Sequence, residues 1–550
     1  MMSTMTRRWA CLVVAALACP ARAADLLAHP PPPVPSAAGV ARGEATCPHA
    51  VRVYTYDFAA GLPFNELAAR ARARPAKTHF DGEHLLAQFT LEFVLADFFR
   101  QACIRTDDPA RADFFFVPFY SDIEYRDAGR PDAPSVYGQA LLDIFEKNST
   151  AGWVRHFGVT DKWWRLAPER HLIVQAAPVT GFRHPKSRRG FSHLMVQLAP
   201  PIFLSVEVTR TWAAEYPRCA AKNVVMPYPV PGRDWHNGEW ARKGAAMRAG
   251  ADDGADVAEA TFARAAAGGG GARDRGARDA EGRSLLAMYH GGRHGCVVVR
   301  DAIAAEVKAD PECSGATYAK LLVRYQKLVD ARFRGTLPRQ AVMHAARFCP
   351  CPEGDSPSAK RMYDALLAGC VPVVVSDDAV YALSREIGGP VDAAAFALRV
   401  GEPAVVAGPD ADAGGGLLAR LRAVNASALA QLRDAGRRAA HLYRYYAEGA
   451  YARDPLVEQR YPDGGAPAAL AWELERRRAL GASAHWRACA TELSQPHWFA
   501  GKQYCGKVPL ESELARVRKA VKGASSPAKR AVLEKELAAL EAGHVYRRGR

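Results

Sequence analysis

The stretch RFCPCPEGDSPSAKRMYDALLAGCVPVVVSDD, from Arg347 to Asp378, decides how the chain is read. Ser356 followed by Pro357 supplies a helix N-cap and a preferred first helical residue, so a helix is predicted over 357–368. Gly369 supplies its stop, and Val371 to Val375 has the composition of a strand buried on both faces. A helix feeding straight into an apolar strand is half of a parallel α/β unit. Within the helix, Ser358, Arg361 and Asp364 recur every three residues and share one face near the N-terminus. That face offers a dipole end and a guanidinium to phosphates, and a carboxylate to ribose hydroxyls. Spacing alone leaves open a plain Arg361–Asp364 surface ion pair.

Working outward, the second half opens on Leu285 to Tyr289, a strand, then His290-Gly291-Gly292-Arg293 and a helix from about Val298. Strand, glycine turn and helix is the start of a nucleotide-binding unit, because glycine lets the backbone approach a pyrophosphate and the helix end attracts it. In the first half, Val51 to Tyr56 alternates like a strand, Leu91 to Ala102 has helical spacing, and Ala112 to Pro118 reads as a buried strand. His171 to Ala176 and Val224 to Met226 add further short strands. The fold class is therefore α/β.

The 550 residues call for two domains plus extensions. Arg7 and Arg8 precede a short apolar run and an Ala21-Arg22-Ala23 cleavage site, so 1–23 reads as a signal peptide in preference to a membrane anchor. A Pro-rich linker over 24–46 follows, then an N-terminal domain over 47–235, a Gly/Ala-rich insertion over 236–283, a C-terminal domain over 284–445 and a helical extension over 446–550. Export makes disulfides expected, with Cys47–Cys103 and Cys489–Cys505 as the pairs and Cys370 as a buried free thiol. Asn148 and Asn425 head glycosylation sequons. The net charge of +15 suits phosphates of a nucleotide-sugar or an acidic polysaccharide, and no nucleic-acid-binding motif accompanies it.

FCPCPEGDSPSAKRMYDALLAGCVPVVVSDD resembles the signature of exostosin-like glycosyltransferases. VRVYTYDF, QFTLEFVLADFFRQACIRTDDPARADFFFVPFY, NVVMPYPVPG and LLAMYHGGRHG match further family motifs in order, so the resemblance covers roughly 51–445. Where relatives commonly have Gly-Arg-Asp-His, this chain has Pro168-Glu169-Arg170-His171, and Asp364 stands where some have Glu.

The resemblance implies a GT-B architecture, two Rossmann-like domains facing a cleft, with the nucleotide on the C-terminal one and the acceptor mostly on the N-terminal one. It also implies inverting transfer from a nucleotide-sugar, expected to be a UDP-sugar, to a glycan or glycoprotein acceptor in the secretory-pathway lumen, the Golgi above all. Gly292, Arg293, Ser356, Ser358, Arg361 and Asp364 are the substrate-binding candidates, and Asp122 and Glu124 the candidates for the base. No metal or other cofactor is required, since fixed cations and amides serve the diphosphate. Asp107-Asp108-Pro109 reads as a turn, Asp377-Asp378 as a strand end, and Cys349-Pro350-Cys351 lacks a second ligand pair at zinc spacing. The competing class is a silent family member that binds glycans or steadies a partner glycosyltransferase subunit.

Overall fold

Apolar runs that show no alternation become parallel strands buried at every position, as the β-strands over 114–117, 171–175, 202–205 and 371–375 show. In the computed structural model, the described residues are 40–41, 46–56, 91–118, 162–176, 200–229, 283, 285–289, 291, 296–314, 343–354, 356–408, 416–445 and 465–493, with positions 518, 521, 530, 534 and 537. The expected signal segment, most of the linker and all but residue 283 of the Gly/Ala-rich insertion lie outside them.

The N-terminal half runs β1 (Val53–Thr55), α1 (Leu91–Gln101), β2 (Arg105–Thr106), β3 (Phe114–Val117), α2 (Lys162–Leu166), β4 (His171–Gln175), β5 (Ile202–Ser205), α3 (Arg210–Glu215), α4 (Pro217–Lys222) and β6 (Val224–Val225). These strands form a six-stranded sheet in the order β2-β1-β3-β4-β5-β6, with every pairing parallel. The expected Asp107-Asp108-Pro109 turn is present, and the Asp108 carboxylate accepts from the Ala110 N–H at 2.9 Å.

The second half runs β7 (Leu285–Met288), α5 (Val297–Ala309), β8 (Cys313–Ser314), β9 (Ala346–Pro352), α6 (Lys360–Leu367), β10 (Val371–Val375), β11 (Leu398–Arg399), α7 (Glu402–Val406), α8 (Leu417–Arg422) and α9 (Ala426–Ala440). Its strands make a separate five-stranded parallel sheet, β11-β10-β9-β7-β8. Period-two geometry divides β10 between two apolar clusters. Val371, Val373 and Val375 pack with Val299, Ile303, Val405 and Leu417, whereas Val374 joins Met362, Leu366 and Ala439 in a cluster that continues into the N-terminal sheet.

Three local expectations are corrected, the start of one helix and two cysteine assignments. The helix begins at Lys360 with Ala359 as its N-cap, so Ser356 to Ser358 precede it. Cys349-Pro350-Cys351 lies inside a central strand, β9, which its prolines argue against. Leu285 sits opposite Ala346 and Ala287 opposite Phe348; the same offset sets the end of β7 opposite Cys349, so both prolines fall beyond that ladder. Cys370 is not a free thiol but is bonded to Cys349, and Cys489 pairs with Cys219 in place of Cys505. Cys47–Cys103 is bonded as expected.

Part of the C-terminal extension packs back onto the N-terminal half as α10 (Gly465–Leu480) and α11 (Ala482–Leu493). The buried Arg477 of α10 pairs with Glu473 at 2.7 Å and donates to the carbonyls of Ala221, Lys222 and Asn223. Orphan carbonyls at the end of α4 thereby gain a cationic cap. The Cys219–Cys489 bond ties α4 to the next helix of the extension, α11. No helix among the described residues is long and apolar enough to cross a membrane.

Candidate functional site

Open parallel sheets bind ligands beyond the carboxyl ends of their strands. Beyond β5 stands Glu207, beyond β6 Tyr228, beyond β7 Tyr289, and beyond β9 Glu353, Ser356 and Ser358. Strand ends from both sheets meet there. The Glu207 carboxylate accepts from the Ser358 N–H and from its hydroxyl, each at 2.7 Å. The Tyr228 hydroxyl lies 3.2 Å from the Ser358 Oγ, and the Ser356 hydroxyl donates to the Ser358 carbonyl at 3.3 Å. Glu207, Ser356, Ser358 and Tyr228 are all buried. Burial, followed by the negative charge of Glu207, drives the Tyr228 phenol pKa well up, so it stays protonated.

A cationic group adjoins this contact. Arg361, in the first turn of α6, holds its guanidinium 5.0 Å from the centre of the Tyr289 ring. Stacking on an aromatic face orients a guanidinium without neutralising it. Arg300 of α5 donates from Nε to the Glu353 carbonyl at 2.7 Å. Lys360 pairs with the buried Asp364 at 2.5 Å. The Tyr289 hydroxyl is raised in pKa by burial, against a downward pull first from Arg361 and then from Arg300, so both guanidiniums act on one ring. Gly291 passes so close to that ring that an added Cβ would stand 2.3 Å from the Tyr289 oxygen. Two guanidiniums beside a helix N-terminus and two strand ends suit a polyanion such as a diphosphate.

Of the residues named from sequence, Ser356, Ser358, Arg361 and Asp364 fall together at this place. Ser358 is turned toward Glu207, and Asp364 toward Lys360. Asp122, Glu124, Gly292 and Arg293 lie outside the described residues. Sequence reasoning passed over Glu207, Arg300 and Lys360. Glu207 carried a readable signal, a lone acid between Val206 and Val208 directly after an apolar run.

His171, the residue retained from the family's Gly-Arg-Asp-His stretch, begins β4 at the end of the strand opposite the site. Its ring nitrogens meet the Tyr56 hydroxyl at 2.9 Å and the Ala167 carbonyl at 3.1 Å, and burial pushes its pKa down to about 3. It is a neutral core histidine. Arg170 beside it donates to the carbonyls of Ala112 and Asp113 ahead of β3. Asp377 and Asp378 stand past β10, as expected of a strand end, and are engaged in capping: Asp377 accepts from the Glu402 N–H at 3.2 Å, and Asp378 from the Thr211 N–H at 2.6 Å.

The sequence matches the family model for the exostosin GT47 domain over residues 47–410. Probable arabinosyltransferase ARAD1 of Arabidopsis thaliana is 51% identical over 35 residues, which are 6% of this chain and 8% of that protein. The similarity to that relative is thus local.

Proposed function

The chain belongs to the exostosin GT47 family, and from that premise we propose that it is an inverting glycosyltransferase. Its donor is a nucleotide-sugar, a UDP-hexose or UDP-pentose, and its acceptor a glycan or glycoprotein. The observation that carries the reading is the pair of guanidiniums, Arg361 and Arg300, that act on the Tyr289 ring at the ends of β7 and β9, with the Lys360–Asp364 ion pair on the same helix turn as Arg361. In such a transfer the acceptor oxygen bonds to the anomeric carbon while the bond from that carbon to the diphosphate breaks. The electron pair leaves with the diphosphate, and the acceptor proton passes to a base. Cations fixed before the reaction stabilise the charge that develops on the departing group.

In this reading the C-terminal half holds the donor, the N-terminal half the acceptor, and the cleft of a GT-B enzyme lies between them. Arg361 faces the diphosphate. Asp364 orients Lys360, and reaches a ribose hydroxyl where that contact yields. Asp122 and Glu124 are the proposed bases; His171 is unsuited, being neutral, buried and engaged at both nitrogens. Bonded cysteines at Cys47–Cys103, Cys219–Cys489 and Cys349–Cys370 support work in an oxidising lumen.

The test is a panel of UDP-sugars offered to the purified protein, with donor hydrolysis and transfer as readouts. Turnover of one donor is expected. Binding without turnover across donors and acceptors would identify a silent glycan-binding or partner subunit, and absence of any nucleotide-sugar binding would overturn the donor site.

A further inference from the structure

We propose that Glu207 is a positioning residue for the donor site: held by the N-terminal sheet, it fixes the Ser356–Ser358 segment and through it the entry of α6, which carries Arg361. The proposal rests on the glycosyltransferase reading above. Both bonds from Ser358 end on the same carboxylate oxygen, Oε1, so one atom sets the amide and the hydroxyl together. With its single proton directed to Glu207, the Ser358 hydroxyl receives a hydrogen bond from Tyr228, whose phenol remains protonated. Ser358 is thereby held from two strand ends of the other sheet.

The segment is held inwardly as well, since the Gly354 N–H donates to the Ser356 carbonyl at 2.9 Å and the Ser356 hydroxyl to the Ser358 carbonyl. Ala359 then makes no side-chain cap, so the first turn of α6 takes its direction from the segment before it. Arg361 follows Ser358 by three residues. A carboxylate placed ahead of a helix N-terminus is also favoured by the helix dipole, which offsets part of the cost of burying it. The N-terminal half thus shapes the donor side directly, and donor affinity depends on a residue that does not itself touch the donor.

The experiment compares Glu207→Ala, Glu207→Gln and Ser358→Ala with the wild type. Glutamine presents an oxygen that can accept both bonds, so it should hold the donor KM within about threefold, whereas alanine should raise it by about tenfold or more with kcat changed much less. Amide hydrogen exchange of the peptide over 353–362, measured without donor, should speed up in Glu207→Ala and stay near wild type in Glu207→Gln. The double variant Glu207→Ala/Ser358→Ala should be no worse than Glu207→Ala alone. Should Glu207→Ala fail to fold, Ser358→Ala, which removes one of the two bonds, carries the same readouts. A folded Glu207→Ala protein with wild-type donor KM, or with unchanged exchange over 353–362, overturns the proposal. If the wild type binds no nucleotide-sugar, the glycosyltransferase reading falls separately, and the exchange measurement alone decides whether Glu207 fixes the segment.

Discussion

Replacing Arg361 by alanine deletes the guanidinium stacked 5.0 Å from the Tyr289 ring centre while leaving Arg300 and Lys360 in place. A unit charge about 4 Å from a phosphate oxygen is worth roughly 4 kcal/mol at an effective dielectric of about 20. The remaining cations and water recover part of this, which leaves an expected loss of about 2.7 kcal/mol, or about 100-fold in kcat/KM. The loss should fall on kcat, because charge on the leaving diphosphate grows in the transition state. Arg361→Lys keeps the charge but not the planar contact, and should lose about tenfold.

Stability responds differently. The stacking contact is worth about 1 kcal/mol, so the Arg361→Ala protein should melt only a few degrees below wild type. Transfer kinetics with donor and acceptor varied separately, together with thermal melting, read both effects. Full kcat/KM in a folded Arg361→Ala protein would refute the phosphate role, and gross unfolding would show that the contact to Tyr289 is structural.

Other perturbations test the architecture. His171 and His485 are both pushed down to about 3, chiefly by burial, so their folded-state values lie below the ordinary 6.5 and the neutral forms are the ones the fold favours. Their stabilisation is complete above about pH 6.5 and should be lost on acidification toward pH 3, at about 1.4 kcal/mol per pH unit for each histidine; denaturant midpoints that stay level from pH 7 to 5 would contradict this. Arg477→Ala leaves Glu473 buried with Arg476 alone and strips the cap from the end of α4, so unfolding free energy should fall by about 3–5 kcal/mol in denaturant titrations. A fall below about 1 kcal/mol would show the pair to be dispensable. Cys489→Ser opens a cross-link between residues 270 apart, for which chain entropy predicts a loss of about 5 kcal/mol, read as a lowered denaturation midpoint. An unchanged midpoint would mean that α11 docks without the bond.

Strands built from a run of large apolar residues are legible in the sequence. Val371 to Val375 is a strand over the same residues in sequence and structure, and Phe114 to Val117 lies within the expected run. Composition reports such segments because burial on both faces asks the same of every position. Residues 346–352 were not legible, since proline normally excludes a central strand, and only the early end of β7 leaves room for Pro350 and Pro352. Cysteine pairing failed for a related reason: Cys370 has the apolar neighbours of a free buried thiol, and Cys349 faces it only once β9 and β10 lie side by side.

The site divides along the same line. Arg361 could be found because its context is local, three residues from Ser358 and three from Asp364. Glu207 stands out as a lone acid between valines, but its contact is not legible, because it reaches Ser358 across 151 positions and periodicity reports only neighbours on one helix or strand. The misplaced start of α6 follows from this distant contact. A serine N-cap is worth about 1 kcal/mol, whereas hydrogen bonds to a charged group contribute about 1.5–3 kcal/mol each, and Glu207 accepts two of them from Ser358. The balance favours the carboxylate. Ser356 and Pro357 keep their helix-starting propensity, yet the chain stays unwound through Ser358, and the helix that carries Arg361 begins where the other sheet permits it.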